Sequence, residues 1–193
     1  MENIILKRFK ESGEVKARFV KENLPRMIEA IQLVSQTIEG GNKLLLFGNG
    51  GSAADAQHVA AEFVNRYIID RPPLPAIALT TDTSILTSVS NDTAFVEIFA
   101  KQIKALGKEG DVAIALSTSG NSPNVIRAVE VAKEVGIKTI ALTGNDGGAL
   151  AKIADISLVI PSTSTPRIQE THILIGHILC EMVEHQLFFK VNP

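Results

Sequence analysis

Short runs of mostly apolar residues recur along the chain, and segments with helical periodicity separate them. Five such runs, each bounded by glycine, proline or polar turn residues, lie at 44–47, 76–79, 112–116, 139–142 and 156–160. A run that is apolar throughout, rather than at alternate positions, is typical of a strand in a parallel sheet covered on both faces. The pattern therefore predicts five parallel strands.

The segments between these runs have apolar residues at helical spacing. The predicted helices lie at 53–66, about 83–106 with a break near Asn91, 123–135, 147–153 and about 168–189. Strands that alternate with helices form a parallel sheet with helices on both faces. The expected fold is therefore α/β, a three-layer α/β/α sandwich with a flavodoxin-like five-stranded sheet.

Residues 3–39 precede the first strand and also have apolar positions at helical spacing, which predicts one or two helices. Gly40 and Gly41 are expected to end this segment. The 193 residues fit one domain, with a helical segment at 1–40 and the sandwich at 41–193. We expect the N-terminal helix to pack on its own domain or on a partner subunit.

The charge, the cysteine count and the lengths of the apolar runs argue against several classes of protein. The net charge of −2 does not indicate a nucleic-acid surface, and the single cysteine, Cys180, excludes an internal disulfide bond. The first residues lack the apolar core of a signal peptide, and no apolar run has the length of a membrane span. We expect a cytoplasmic protein without a membrane or nucleic-acid partner.

A glycine turn, Gly48–Ser52, follows the first predicted strand. Glycine allows backbone N–H groups to approach a ligand that a Cβ atom would push away. Ser52 is a suitable N-cap for the helix that follows. The turn is therefore a candidate site for an anionic or polar ligand.

Titratable side chains form a stripe on that helix. Asp55, His58, Glu62 and Arg66 fall within a sector of about 80° at 100° per residue. A polar stripe is usually a solvated helix face. This one begins beside the glycine turn and mixes a histidine with carboxylates, which favours a ligand site, and His58 and Glu62 are spaced to reach one metal ion or one substrate.

The glycine turn also admits another interpretation, since Gly48 to Ala53 fits the relaxed dinucleotide fingerprint G-x-G-x-x-A. Such a site also needs an acidic residue about 20 positions further on to bind a ribose hydroxyl. The following strand ends at Thr80-Thr81-Asp82 and offers no convincing candidate. We therefore disfavour a dinucleotide role.

A serine loop, Ser117–Asn124, follows the third predicted strand and leads into a helix. Ser122 can cap that helix, and Pro123 suits its first turn. An ordinary capped turn needs one hydroxyl, whereas this loop has four, on Ser117, Thr118, Ser119 and Ser122. Hydroxyls and backbone amides at a helix N-terminus predict a phosphate site.

Three further polar positions are ambiguous from the residues alone. Asn91 and Asp92 can simply cap a helix that begins near Thr93. His177 lies among apolar residues of the last helix, where a histidine is more often a hydrogen-bonded core residue than a ligand.

Taken together, the motifs resemble a known family. The glycine turn, the Asp-x-x-His-x-x-x-Glu pattern of residues 55–62 and the serine loop are similar to those of the sugar isomerase (SIS) domain family. Arg167, Gln169, His172 and His177 resemble the branch of bacterial phosphoheptose isomerases, which act on sedoheptulose 7-phosphate. The resemblance covers nearly the whole chain.

The resemblance implies roles for individual residues. It implies a Zn²⁺ ion bound by His58, Glu62, Gln169 and His177, with Glu62 and His177 as the acid/base pair. It also implies a phosphorylated seven-carbon sugar as substrate and a homotetramer with shared sites. Together with the motifs, it makes the candidate substrate-binding residues Asn49, Gly50, Gly51, Ser52, Glu62, Arg66, Asn91, Asp92, Ser117, Thr118, Ser119, Ser122 and Gln169.

The residue types suit the implied reaction. Conversion of a 2-ketose to an aldose moves a proton between C1 and C2 through an enediolate intermediate. A carboxylate can carry this proton, while a histidine or a metal stabilises the oxyanion. A carboxylate and an imidazole bound to zinc are poor bases, so a structural or exchangeable metal is an open alternative. A non-catalytic SIS-fold protein, either an adapter in replication initiation or a sugar-phosphate sensor, is the other class considered.

Helix geometry raises a question about the ligand set. Gln169 and His177 are eight positions apart, which places their Cα atoms about 12 Å apart on a straight helix. That is a long span for two ligands of one ion, each bound at about 2 Å. Either Gln169 lies in an irregular first turn after Pro166, or the two residues reach one site from different subunits.

Overall fold

A single parallel sheet organises the chain. The computed structural model describes residues 1–189, so the last four residues of the predicted domain, 190–193, lie outside the described residues. Within the described part, the strands are β1 Leu44–Gly48, β2 Ala76–Ala78, β3 Val112–Ser117, β4 Lys138–Thr143 and β5 Ile156–Val159. Their order is β2-β1-β3-β4-β5 and every neighbouring pair is parallel, which confirms the five-stranded parallel sheet.

The helices also follow the sequence pattern. Their bounds are α1 Glu2–Glu39, α2 Gly51–Val64, α3 Thr83–Asp92, α4 Ile98–Leu106, α5 Pro123–Glu134, α6 Gly148–Ile153 and α7 Thr165–Phe188. The predicted break near Asn91 is confirmed, because α3 ends there and a short 3-10 helix, Phe95–Glu97, precedes α4. The N-terminal segment is one helix, which continues through Pro25 and ends at Glu39, with Gly40 as its C-cap.

The two faces of the sheet are covered by different helices. Leu44 and Leu46 of β1 pack in a core with residues of α1, α2 and α7, whereas Leu45 and Phe47 pack on the other face with α4, α5 and α6. Successive strand residues point to opposite faces, so a fully apolar strand can supply both cores. The three-layer sandwich is therefore confirmed.

The strand order determines where a ligand can bind. In the order 2-1-3-4-5 the direction in which successive strands are added to the sheet reverses between β1 and β3, and ligands bind outside the carboxyl ends of the strands at such a switch point. The glycine turn follows β1 and the serine loop follows β3. Both predicted ligand loops therefore meet at the same point of the sheet.

The first turns of α1 carry large apolar side chains that the rest of residues 1–189 leaves exposed. Val15, Phe19 and later residues of α1 are buried in the core with α7 and β5. Before them, the large apolar side chains are exposed at Met1, Ile4, Ile5, Leu6 and Phe9. Within residues 1–189 no helix has the length and apolar character that crossing a bilayer requires.

Candidate active site

Helices α2 and α7 bring together the side chains of a cluster formed by His58, Glu62 and His177. His58 Nε2 lies 2.9 Å from Glu62 Oε1 and 3.3 Å from His177 Nε2, and His177 Nε2 lies 3.5 Å from the same Glu62 oxygen. The two helices approach closely at Gly176, where a Cβ atom would lie 2.5 Å from Val59 Cγ2. Glycine at 176 therefore allows His177 to reach the polar stripe of α2.

The cluster fits a metal ion. Its three ligand atoms lie within 4.8 Å of one another, and two imidazole nitrogens with a carboxylate oxygen are a donor set that zinc accepts. A tetrahedral site with bonds of about 2 Å has edges of about 3.3 Å. The observed separations of 2.9, 3.3 and 3.5 Å are close to such edges, so the cluster is able to hold a divalent metal.

The surroundings of Glu62 are partly apolar. Its Oε2 atom is buried and has no hydrogen-bond partner among residues 1–189. Cys180, one turn after His177, is buried beside it, and burial together with the Glu62 carboxylate raises the pKa of the thiol. Burial also raises the pKa of Asp55 on the same helix face, although His58 and His177 act in the opposite direction.

The glycine turn brings α2 close to the sheet and to α7. Gly48 has no space for a Cβ atom, which would lie 2.8 Å from both the Leu116 carbonyl oxygen and Ser52 Cβ. Gly50 has φ of +56° and is the N-cap of α2. The prediction that Ser52 caps α2 is therefore wrong, because the helix begins at Gly51, two residues earlier than predicted, and Ser52 is a buried residue of its first turn.

Gln169 lies at the glycine turn rather than at the His-Glu cluster. A Cβ atom on Gly51 would collide with Gln169 Nε2, which places the amide against the first residue of α2. His58 follows Gly51 by seven residues, about 10 Å along the helix. Since α7 is helical from Thr165 onward, the alternative of an irregular first turn at Gln169 is not observed.

Hydrogen bonds of serine side chains stabilise the conformation of the serine loop. Ser117 Oγ and Ser122 Oγ are hydrogen-bonded at 3.0 Å, and Ser119 Oγ accepts the Asn121 backbone N–H at 3.2 Å. Ser122 is the N-cap residue of α5 by position, but its hydroxyl bonds to Ser117 and makes no cap bond. The predicted side-chain cap is therefore wrong, whereas Pro123 occupies the first turn as predicted.

A reciprocal amide pair joins the two loops. Asn49 Nδ2 donates to Asn124 Oδ1, and Asn124 Nδ2 donates to Asn49 Oδ1, both at 2.8 Å. Asn124 is buried and Asn49 is half-buried. The pair fixes the glycine turn against the first turn of α5, so that the two loops are held together at the carboxyl ends of β1 and β3.

Comparison with known proteins identifies the family. Residues 9–144 match the SIS domain family. The chain is 53% identical over 188 residues to the phosphoheptose isomerase of Thermodesulfovibrio yellowstonii, covering 97% of this chain and 94% of the relative. The chain belongs to the phosphoheptose isomerase family of SIS-domain proteins. It is therefore an isomerase, which confirms the enzyme class over the non-catalytic alternatives.

Two solved structures of this isomerase family agree with the fold. The phosphoheptose isomerase from Neisseria gonorrhoeae has a TM-score of 0.90 at 44% identity, covering 95% of this chain and 98% of that one. The phosphoheptose isomerase from Francisella tularensis has a TM-score of 0.91 at 41% identity, covering 95% and 97%. The similarity includes the long N-terminal helix, because almost the full length aligns.

Some predicted site residues of the isomerase lie elsewhere than expected. Arg66 is not on the polar stripe, because α2 ends at Val64 and Arg66 is an exposed residue of the next segment. Asn91 and Asp92 do not cap a following helix: they are the last residues of α3, and Asn91 Nδ2 donates to Asp92 Oδ1 at 2.8 Å. Their predicted contact with substrate stays a prediction.

The structure also shows residues near the site that sequence reasoning missed. They are Tyr67, Arg71, Asn124 and Glu184. One signal was available for Glu184, which follows His177 by seven residues and therefore lies on the same helix face. His172, in contrast, is buried and its pKa is lowered to about 4 by burial, which is consistent with a neutral core histidine.

Proposed function

We propose that this isomerase converts sedoheptulose 7-phosphate to D-glycero-D-manno-heptose 7-phosphate, the first step of nucleotide-activated heptose biosynthesis. The observation that carries the proposal is the His-Glu cluster of α2 and α7, which lies about 10 Å along α2 from two ligand loops at one switch point of the sheet. The serine loop suits a phosphate, and the cluster suits proton transfer. The phosphoheptose isomerase names of relatives at about half identity support the same substrate class.

Glu62 is the proposed proton carrier. Its carboxylate takes the proton from C1 of the ketose and returns it to C2 of the enediolate, so no proton is gained or lost overall. Its Oε2 atom has no hydrogen-bond partner among residues 1–189, so one oxygen of the carboxylate is not held by another polar group. His177, on the opposite helix, exchanges the proton between the two oxygens as the carbonyl moves from C2 to C1.

We also propose that Zn²⁺ binds the cluster through His58, Glu62 and His177, with Gln169 as a fourth ligand. When bound, the ion would supply Lewis-acid stabilisation of the substrate oxygens. Calorimetric titration of metal-free protein with ZnCl₂ tests the site. We expect one ion per chain, and His58→Ala should weaken binding at least about tenfold because it removes one imidazole ligand. Unchanged affinity in this variant would contradict the proposal.

The serine loop is proposed to bind the phosphate of the substrate. Ser119→Ala and Ser122→Ala are each expected to weaken sugar-phosphate binding by about 1–3 kcal/mol, as for hydrogen bonds to a charged group. Calorimetry with the unphosphorylated heptose is the control, and its binding should hardly change. Equal losses for both sugars would refute the phosphate role.

We propose further that four chains form a tetramer with shared active sites. In one chain Gln169 lies at the start of α2 and the cluster lies about 10 Å along it, so a common ion needs Gln169 from a second chain. The exposed apolar residues of the first turns of α1 offer the surface for association. Sedimentation at nanomolar concentration tests this: an active monomer would exclude shared sites.

The reaction itself has a direct test. A coupled assay with sedoheptulose 7-phosphate should give turnover, and the six-carbon ketose fructose 6-phosphate should serve as a poorer substrate. Absence of turnover on the seven-carbon substrate by folded, zinc-loaded protein would refute the proposed function.

We propose that the whole chain, 1–193, acts as a single SIS domain in the cytoplasm. For a single domain, one cooperative unfolding transition is the expected calorimetric behaviour.

A further inference from the structure

The ring of Tyr67 stacks on the ring of His177. The ring centroids are 5.6 Å apart and the planes are inclined by 27°. The polar contacts that the structure describes for His177 use Nε2, toward His58 and Glu62. The His58 ring also contacts the His177 ring, with centroids 5.3 Å apart and planes inclined by 54°. Stacking on Tyr67, the other ring partner, restrains rotation of the imidazole about its last side-chain bond, because a rotated ring would collide with the tyrosine.

Tyr67 lies in the segment after α2, and Glu184 fixes its backbone. The buried Glu184 carboxylate accepts N–H groups from three consecutive residues, Tyr67 at 2.9 Å, Ile68 at 3.0 Å and Ile69 at 3.3 Å. Glu184 follows His177 by seven residues on α7, so both side chains leave the same helix face. One helix therefore carries the histidine and also the carboxylate that positions its stacking partner.

Arg71 connects this arrangement to the other helix of the cluster. Arg71 Nε donates to Glu184 Oε1 at 2.8 Å, and both side chains are almost fully buried. Its two terminal nitrogens donate to the carbonyl oxygens of Phe63 and Glu62, each at 2.8 Å. These carbonyls lie in the last turn of α2, where no later helical N–H is present to bond to them. Arg71 therefore fixes the end of α2 that carries Glu62.

We infer that Tyr67 is a positioning residue of the isomerase, which acts by holding the His177 imidazole with Nε2 toward Glu62 and His58. The inference rests on the proposed catalytic role of His177 and adds a residue that makes no polar contact in the cluster. The Glu184–Arg71 pair supports Tyr67 by fixing its backbone to both helices. Substitution of the ring should change the orientation of His177, while the substrate loops keep their structure.

The test separates ring stacking from the tyrosine hydroxyl. NMR of histidine-labelled protein at about pH 8, where an imidazole is ordinarily neutral, reports the His177 Cε1 proton, which the stacked ring shifts upfield. We expect Tyr67→Leu to move this resonance downfield and to lower kcat about tenfold, with KM changed by less than about twofold, because only the reacting geometry is disturbed. Tyr67→Phe should keep both the resonance and kcat.

Phe189→Leu is the matched control, because the Phe189 ring, directly after α7, contacts the ring of His185 with centroids 4.7 Å apart, away from the cluster. It should leave the His177 resonance and kcat unchanged. An unchanged His177 resonance in Tyr67→Leu would overturn the inference, and so would equal losses of kcat in Tyr67→Phe and Tyr67→Leu. If the wild type fails to turn over sedoheptulose 7-phosphate but the resonances respond as expected, the proposed function fails and the positioning contact stands.

Discussion

Replacement of Glu62 by glutamine is expected to lower turnover of sedoheptulose 7-phosphate at least about a hundredfold, within the range of general acid–base contributions. Glutamine keeps the size of the side chain and can still bond to His58, which lies 2.9 Å from Glu62 Oε1. It cannot accept and return a proton at neutral pH. The measurement is kcat under substrate saturation, with folding checked by circular dichroism.

Two comparisons make this result specific. Glu130→Gln applies the same chemical change to an exposed carboxylate of α5 that pairs with Arg127, and it should leave kcat unchanged. Zinc affinity of Glu62→Gln, measured beside that of His58→Ala, separates loss of the base from loss of the ion. If Glu62→Gln keeps more than a tenth of wild-type turnover, Glu62 is not the proton carrier.

Removal of the Glu184 carboxylate is expected to lower the free energy of unfolding by about 3–5 kcal/mol, the range for breaking a buried ion pair by loss of one partner. Glu184→Ala leaves Arg71 charged and buried, and it leaves the N–H groups of Tyr67, Ile68 and Ile69 without their acceptor. Urea denaturation of wild type and variant at neutral pH measures the difference.

The pH dependence has a defined sign. Burial raises the pKa of Glu184, but the three backbone N–H donors and Arg71 outweigh it, and the pKa in the folded protein is below its ordinary value of 4.5. The stabilisation is therefore present above pH 4.5 and is lost as the pH falls through the lower folded-state pKa. The difference between wild type and Glu184→Ala should shrink in that acidic range.

Glu134→Ala is the matched control for this variant. Glu134 is an exposed carboxylate whose Oε1 atom lies 3.5 Å from Arg127 Nη1. A surface ion pair of this kind contributes about 0–1 kcal/mol to the free energy of unfolding. A loss for Glu184→Ala no larger than that of Glu134→Ala would show that the buried pair does not stabilise the segment around Tyr67.

Several elements of the active site were accessible from the sequence because neighbouring residues decide them. The glycine turn follows a fully apolar strand, and His58 and Glu62 are one helical turn apart, so their shared direction follows from helix geometry. The same helix geometry gave a wrong prediction for Arg66. The helical spacing placed Arg66 on the polar stripe of α2, but the helix ends at Val64. Helix ends depend on capping contacts, and here Arg71 supplies them from beyond the helix.

The sequence by itself determined the strands, the helices, the two ligand loops and, through its motifs, the family. These features depend on apolar periodicity and on residues within a few positions of one another. Only the tertiary structure decided which distant residues meet: His177 beside His58, Asn124 beside Asn49, and Glu184 beneath Tyr67. Such pairs depend on how α2, α5 and α7 pack on the sheet, where close contacts such as that between Gly176 and Val59 set the distance between helices. Local sequence patterns do not predict that packing, because the position of each residue in such a pair depends on how the whole core packs.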